Sequence, residues 1–386
     1  MDRCTPCPRS TCLHPKPKED LHGEGHEPCP YSDWRLVGSV FSAVDTRIIL
    51  HSAHLSCPKL EHVPLMQMLI SKANRWRDAT LTAPNLSILS TLGPNTLEKL
   101  ERVDLTSAKL SNTVDAFLSA PLLRKATICL PDISFLLMPW SQLTTLSLTT
   151  DSPDRCLEVL QQCTNLVSAE FNTYAWEEDF DTDIQTVATL PNLTALHLSS
   201  DSGIVGHFTP FLRCLTLPAL TDFGLSASET LLWPAVVATE FQLRSPLITS
   251  LQLLLSAIDS DELLSVLRCT PLLKSLELIC CYDCVDDNLL DALRYRASDA
   301  SHLTPRLDSL LLSEIENSFQ ESYLEDMIRS RWWSDEQLLL FTSPPPVARW
   351  VSLTCTIKES MGHPMDLEFV ERMEAFRSEG LRLTLR

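Results

Sequence analysis

The phrase PNLTALHL, from Pro191 to Leu198, returns along this chain with a spacing of about 25 residues. Its apolar skeleton is L-x-x-L-x-L, carried here by Leu193, Leu196 and Leu198. The same skeleton stands upstream as Leu100-Val103-Leu105, Leu123-Ala126-Ile128, Leu143-Leu146-Leu148 and Leu166-Ala169-Phe171. Downstream it is Leu220-Phe223-Leu225, Ile248-Leu251-Leu253, Leu273-Leu276-Leu278 and Leu307-Leu310-Leu312. The gaps between first positions are 23, 20, 23, 27, 27, 28, 25 and 34 residues. A unit this short holds one strand and one return segment, and it cannot enclose an apolar core by itself. Stacking on its neighbours is the way its three apolar residues leave water.

With 386 residues, 44% of them hydrophobic, length alone would admit two or three domains. The repeat overrides that estimate, because a stacked array lengthens without splitting into separate cores. The period and skeleton are those of a leucine-rich repeat. Between strands, DAFLSA (115–120), DRCLEVLQQC (154–163) and DELLSVLRC (261–269) each begin with Asp, a residue suited to a helix start. Apolar residues then follow at helical spacing, as with Leu263, Leu264 and Leu267, and VDDNLLDALRYR (285–296) repeats the design with Leu289, Leu290 and Leu293. The expected fold is an α/β leucine-rich-repeat solenoid, a horseshoe with parallel strands on the concave face and helices on the convex face.

Four segments are expected. Residues 1–32, low in apolar content and rich in Cys, His and Pro, read as a disordered leader. Residues 33–73 read as a partial N-terminal cap, with a degenerate repeat at Leu60, Val63 and Leu65 and a helix in VPLMQMLI. Met66 and Met68 within it look like core filler. Residues 74–316 hold the repeats, opening with RWRDATL, in which Trp76, Ala79 and Leu81 face inward. The period is expected to end near Asn317. Residues 317–386 then form a C-terminal repeat or cap: a helix in SYLEDMIRSRWW, a strand in VSLTCTI, a helix from Asp366 to Gly380, and a last strand in LRLTLR. Val351, Leu353, Cys355 and Ile357 are expected on one face of that penultimate strand.

A net charge of −19 argues against nucleic acid, which needs clustered Lys and Arg. No apolar run of eighteen residues exists, and MDRCTPCPRS has no secretory core, so membrane association is not expected and a cytoplasmic or nuclear location is. The 14 Cys should then be mostly reduced. Cys57, Cys163 and Cys269 each precede a phrase of the repeat, as small buried hydrophobes would.

Candidate chemistry is sparse. Cys4-x-x-Cys7 and His26-x-x-Cys29 have zinc-ligand spacing, with Cys12, His14 and His22 between them. A disordered leader is the reading their surroundings favour, so no metal and no cofactor is expected. His22-Gly-Glu-Gly-His26 is not H-E-x-x-H. Asp179, Asp181 and Asp183 begin like a calcium loop, but Ile184 and Leu190 stand where Gly and Glu are required. Neither a phosphate-binding G-x-x-x-x-G-K-[ST] nor a G-x-S-x-G elbow is present, and no enzyme is expected. Trp332-Trp333 reads as an exposed aromatic anchor or as a buried part of the cap.

The informative surface is the strand face. If the apolar positions point inward, the residues between them point to the concave side. The position between the last two apolar residues reads Asp104, Thr127, Ser147, Glu170, His197, Gly224, Gln252, Glu277 and Leu311. Basic residues, Arg102 and Lys125, are expected only at the N-terminal end of this face. Glu170, His197, Asp222, Gln252 and Glu277 are the residues expected to meet a protein partner there; a bare solvated sheet face is the other reading.

RWRDATL, PNLTALHL and TNLVSAEF, with helices such as CLEVLQQC, resemble the repeat region of fungal F-box/leucine-rich-repeat proteins from about Asn74 onward. That resemblance implies a substrate receptor of a ubiquitin ligase, whose F-box docks on a cullin-ligase adaptor while the repeats hold the substrate. The Leu-Pro opening and Val-Cys-Arg-x-Trp-like closing phrases of such an F-box are not found in residues 1–73. A stand-alone interaction or structural protein and a zinc-dependent regulator acting through the leader are the other readings.

Overall fold

The computed structural model describes residues 34–35, 46–52 and 63–385, except 84, 174–175, 177–186, 201–207, 228–234, 255–257, 300, 317, 341–344 and 359–364. The leader with its Cys and His residues, Cys57, Leu60 and the acidic run Asp179–Asp183 lie outside the described residues.

One fourteen-stranded sheet runs the length of the described chain in sequence order. Its strands are β1 (Trp34–Arg35), β2 (Thr46–Ser52), β3 (Trp76–Thr82), β4 (Arg102–Thr106), β5 (Lys125–Cys129), β6 (Thr145–Thr150) and β7 (Ser168–Thr173). After a short β8 (Ala188–Thr189) come β9 (Ala195–Ser200), the short β10 (Leu215–Thr216), β11 (Asp222–Ala227), β12 (Ser250–Leu254) and β13 (Ser275–Ile279). The ladder closes with β14 (Ser309–Ile315), β15 (Ser352–Ile357) and β16 (Arg382–Leu385). β1 and β2 pair antiparallel, and every later pair of the ladder is parallel. β8 and β10 pair only with each other. The α/β leucine-rich-repeat solenoid expected from the period is the fold observed.

The register explains why the three apolar positions repeat. Phe171, Leu198, Leu225 and Leu253 stand opposite one another across β7, β9, β11 and β12. The middle positions Ala169, Leu196, Phe223 and Leu251 do the same. All nine copies of the skeleton are buried, with no member more than 2% exposed. Phe211 stacks edge-on against Phe171 at 6.2 Å, and Phe241 lies 5.0 Å from Phe223, so the return helices carrying Phe211 and Phe241 seal their layers with aromatic rings.

A second periodic device lies just before the strands. Thr144, Thr194, Thr221 and Thr249 each follow the first apolar residue of a copy. Their hydroxyls donate to the carbonyls of Arg124, Val167, Thr194 and Thr221 at 3.1–3.2 Å. Each threonine ties its repeat to the preceding one, a neighbour-to-neighbour term of the kind that stabilises a solenoid.

The returns differ between the two halves. α2 (Pro153–Gln162), α3 (Thr209–Arg213), α4 (Ala235–Arg244), α5 (Ser260–Arg268) and α6 (Asp287–Leu293), with α1 (Val63–Ile70) before them, are helices. Asp259 and Asp286 cap α5 and α6 by accepting the amides of Glu262 and Leu289. Toward the N-terminus the returns are single 3-10 turns at Ser87–Thr91, Ala116–Ser119 and Trp140–Gln142. The helix expected in DAFLSA is therefore only such a turn. Pro121 follows it, Pro94 follows the first and Pro139 precedes the third. The residue before a proline is driven out of the α region, which leaves too few residues for a helix.

Three further expectations change. Val63 and Leu65 belong to α1, and the strand of that region is β2 instead. Met68 is 58% exposed, so it fills no core. The ladder also continues beyond Asn317: β15 pairs in register with β14 and β16 with β15, Leu353 and Cys355 standing opposite Leu310 and Leu312. The intervening α7 (Glu321–Ser330) and α8 (Asp335–Leu340) stretch the spacing enough to hide the repeat. α9 (Leu367–Ser378) begins at Asp366, whose carboxylate accepts the Glu368 amide, and ends at Gly380, whose φ of +106° suits glycine. On β15, Leu353 and Cys355 are buried as expected, while Val351 precedes the strand and is 44% exposed.

Behind the last strands a buried cation is held without a carboxylate in contact. Arg331 is 1% exposed and donates to the carbonyls of Thr304, Leu307 and Ala348, with its guanidinium 4.7 Å above the Trp350 ring. Burial lowers its pKa to about 10, against the pull of Asp308. Trp332 is also buried and donates to Glu379, so it is no exposed anchor; Trp333 is half-buried against Tyr295.

Candidate binding surface

Because side chains alternate along a strand, the residues between the buried positions form columns on the other face of the sheet. Glu170 of β7 stands opposite His197 of β9, and His197 stands opposite Gly224 of β11. The column continues through Gln252 and Glu277 to Leu311 on β12, β13 and β14. The sequence-derived column is thus one continuous row across six strands. Asp222 lies in the adjacent column, opposite Ala195 and Ser250.

Gly224 has a geometric reason. A Cβ built there would lie 2.3 Å from Nδ1 of His197 and 2.9 Å from its Cε1. The imidazole therefore lies down over β11, and its Nε2 reaches to 3.5 Å from a carboxylate oxygen of Asp222. Side-chain exposures of 38% and 43% leave that pair in contact with water. One strand further, Gln252 donates to Oε2 of Glu277 at 3.1 Å. That bond fixes the orientation of a carboxylate with capacity to accept several more donors. Glu170 is exposed.

The five expected residues thus form two pairs and one single residue. His197 and Asp222 are brought into contact, Gln252 and Glu277 are hydrogen-bonded, and Glu170 stands alone one strand before His197. The row is acidic at both ends and carries hydrogen-bonding groups between. No group of His, Cys, Asp and Glu among the described residues is placed to hold a metal.

Basic side chains bracket this stretch rather than standing only before it. Arg102 and Lys125 occupy the Asp222 column on β4 and β5, and Arg382 occupies it on β16. The expectation that basic residues stop at the N-terminal end is corrected, because β16 lies in the same register. A separate cleft of about 540 Å³ lies at the edge where the strands enter, lined by Lys274, Arg306, Asp308 and Arg349 among prolines. Burial raises the pKa of Asp308, opposed by Lys274 and Arg331. Lys274 and Asp308 share the position after the first apolar residue of a copy, but Arg306, Arg349 and the prolines of that cleft stand outside the periodic skeleton, so sequence reading missed it.

The cysteines fit the structural reading in part. Cys163 is buried in the core, its pKa pushed up to about 12 by burial. Cys269 is only half-buried, at the end of α5. No helix among the described residues is long and apolar enough to cross a membrane.

No protein-family model matches the chain, and no curated protein matches it. Among solved structures it is similar to the TLR13–ssRNA13 complex, at 15% identity and a TM-score of 0.38, over 73% of this chain and 43% of that one. It is also similar to the leucine-rich repeat-containing protein LegL7 from Legionella pneumophila, at 12% identity and a TM-score of 0.27, over 66% of this chain and 90% of that one. The chain thus spans less than half of the TLR13 chain.

Proposed function

We propose that this chain is a non-enzymatic protein-interaction solenoid that holds a basic or hydrogen-bonding segment of a partner protein on its strand face. The observation that carries the reading is the row Glu170–His197–Gly224–Gln252–Glu277, with Asp222 beside it, in register across five consecutive ladder strands. A parallel sheet holds these side chains in place before a partner arrives, which lowers the entropic cost of association. Opposite charge across the contact favours the right partner and speeds encounter. A cytoplasmic or nuclear setting suits buried cysteines such as Cys163 that serve as small hydrophobes.

The test is affinity capture from the native cell with wild type and with the Glu170→Lys/Glu277→Lys variant. Both side chains point away from the core, so the variant should melt as wild type does. It should lose its specific partners and show an altered salt dependence for any that remain. Equal capture by both proteins would remove the strand face from the reading, and loss of binding on Trp333→Ala alone would move it to the C-terminal end.

The finer reading, a substrate receptor of the F-box type, rests on repeat style. Binding of the cullin-ligase adaptor by residues 1–73 would support it. No binding is expected, because that segment lacks the periodic apolar face of a helical module. Micromolar or tighter association would establish it.

A further inference from the structure

The strand face is polar almost throughout, and its exceptions lie together. Among the described outward positions from β3 to β16, the only Leu or Ile side chains are Leu254, Ile279 and Leu311. Leu254 and Ile279 are direct partners across β12 and β13. Leu311 is the direct partner of Glu277, which places it diagonally next to Ile279. Side chains so related lie about 5–8 Å apart, within mutual reach. All three keep part of their surface exposed, while their inward neighbours Leu253, Leu278, Leu310 and Leu312 are buried. The three therefore form an aliphatic spot at the end of the acidic row, beside Glu277.

We infer that this spot is the anchor site of the proposed surface, and that the occupant is an extended partner segment with two basic side chains followed by a large apolar one. The inference rests on the proposed function and adds a spacing to it. From Glu170 to Glu277 the row crosses four ladder steps, through His197, Gly224 and Gln252. At about 4.8 Å a step that is roughly 19 Å, and an extended peptide at about 3.3 Å per residue covers it in about six residues. Leu311 is one step beyond Glu277, so the apolar side chain follows the second basic one by about one or two residues. Gly224 lowers the floor midway, where only the flat face of His197 stands, and a peptide backbone passes there without a bulky side chain in its way. The carboxylates select and orient the segment, and the aliphatic spot supplies the desolvated contact that slows its release.

The experiment is selection of random dodecapeptides displayed on phage against the full-length chain, with binding of the selected peptides measured afterwards. Wild type should select peptides with two Lys or Arg about six residues apart and Leu, Ile, Phe or Trp one or two positions beyond. Leu254→Ser/Leu311→Thr, whose outward changes leave the buried skeleton intact, should bind those peptides about tenfold more weakly while keeping their salt dependence. Replacing the peptide's apolar residue by Ala should cost the same on wild type and nothing further on the variant, so that the two changes do not add. That non-additivity is read on wild-type protein as well as on the variant, so a folding defect cannot imitate it. Peptides that bind wild type and Leu254→Ser/Leu311→Thr equally, yet fail on Glu170→Lys/Glu277→Lys, would overturn the anchor and leave the proposed function standing. Selected peptides without basic residues, or no selected peptide at all, would overturn both.

Discussion

Gly224→Ala tests the geometry of the row without touching the core. The new methyl would stand 2.3 Å from Nδ1 of His197, far inside contact distance, so one of the two must move. The atom it meets belongs to a side chain that is 38% exposed, and the ring can swing away into solvent. Doing so breaks the 3.5 Å contact with Asp222. An exposed polar contact of this kind is worth at most about 1 kcal/mol. Against that, Gly→Ala at a strand position with ordinary backbone angles gains about 0.4–1 kcal/mol through the unfolded chain. The two nearly cancel, so stability should change by less than about 1 kcal/mol, a shift of no more than about 4 °C in the melting midpoint. The imidazole, in contrast, should change surroundings completely. Thermal melting and the 1H–13C imidazole resonances of labelled histidine, assigned with His197→Gln, read the two effects separately. A midpoint unchanged within about 4 °C with a displaced His197 resonance is expected. An unmoved His197 resonance would refute the stacked geometry, and a loss of several kcal/mol would show that the ring is locked by packing rather than resting on the glycine.

Leu196→Ala removes a fully buried side chain and should cost about 2–5 kcal/mol, with loss of amide protection spreading into β7 and β11; an unchanged melt would refute the register. Arg331→Met leaves the Thr304, Leu307 and Ala348 carbonyls without their donor and should cost about 1–3 kcal/mol in denaturant unfolding, whereas a neutral result would mean the buried guanidinium is dispensable. The Cys163 thiol is held neutral by burial, so its contribution to stability is complete below its ordinary pKa of 9.0 and is lost as pH rises toward about 12. It should therefore resist thiol reagents at pH 8 until the chain unfolds, and rapid labelling in the folded state would contradict its placement.

The register of nine repeats was readable because one apolar triplet obeys two rules at once, an inward direction and a fixed place in the period. The same rule sets Glu170, His197, Gln252 and Glu277 in one row, and the strand register has them there. What it could not give was the lean of a side chain. His197 lies over Gly224 toward Asp222, so a contact joins two columns that spacing treats as separate. The threonine ladder was legible in principle, since Thr recurs after the first apolar residue, but its bonds run to carbonyls, which carry no sequence mark. For β15 and β16 the sequence shows strands of a C-terminal repeat or cap but not the register that continues the ladder, because α7 and α8 intervene and Trp350 and Cys355 replace two leucines. Arg331 was invisible: nothing in SRWWSD marks an arginine whose partners are backbone oxygens from 304 to 348.

The central claim is that a partner covers the strand face over β7–β13. Carbodiimide labelling of carboxylates with glycine ethyl ester, read by mass spectrometry with and without the captured partner, tests it most directly. The account predicts that Glu170, Asp222 and Glu277 lose labelling in the complex, while Glu158 on α2 and Glu374 on α9 label as before. Protection of Glu158 or Glu374, with Glu170 and Glu277 labelled as fully as in the free chain, would contradict it.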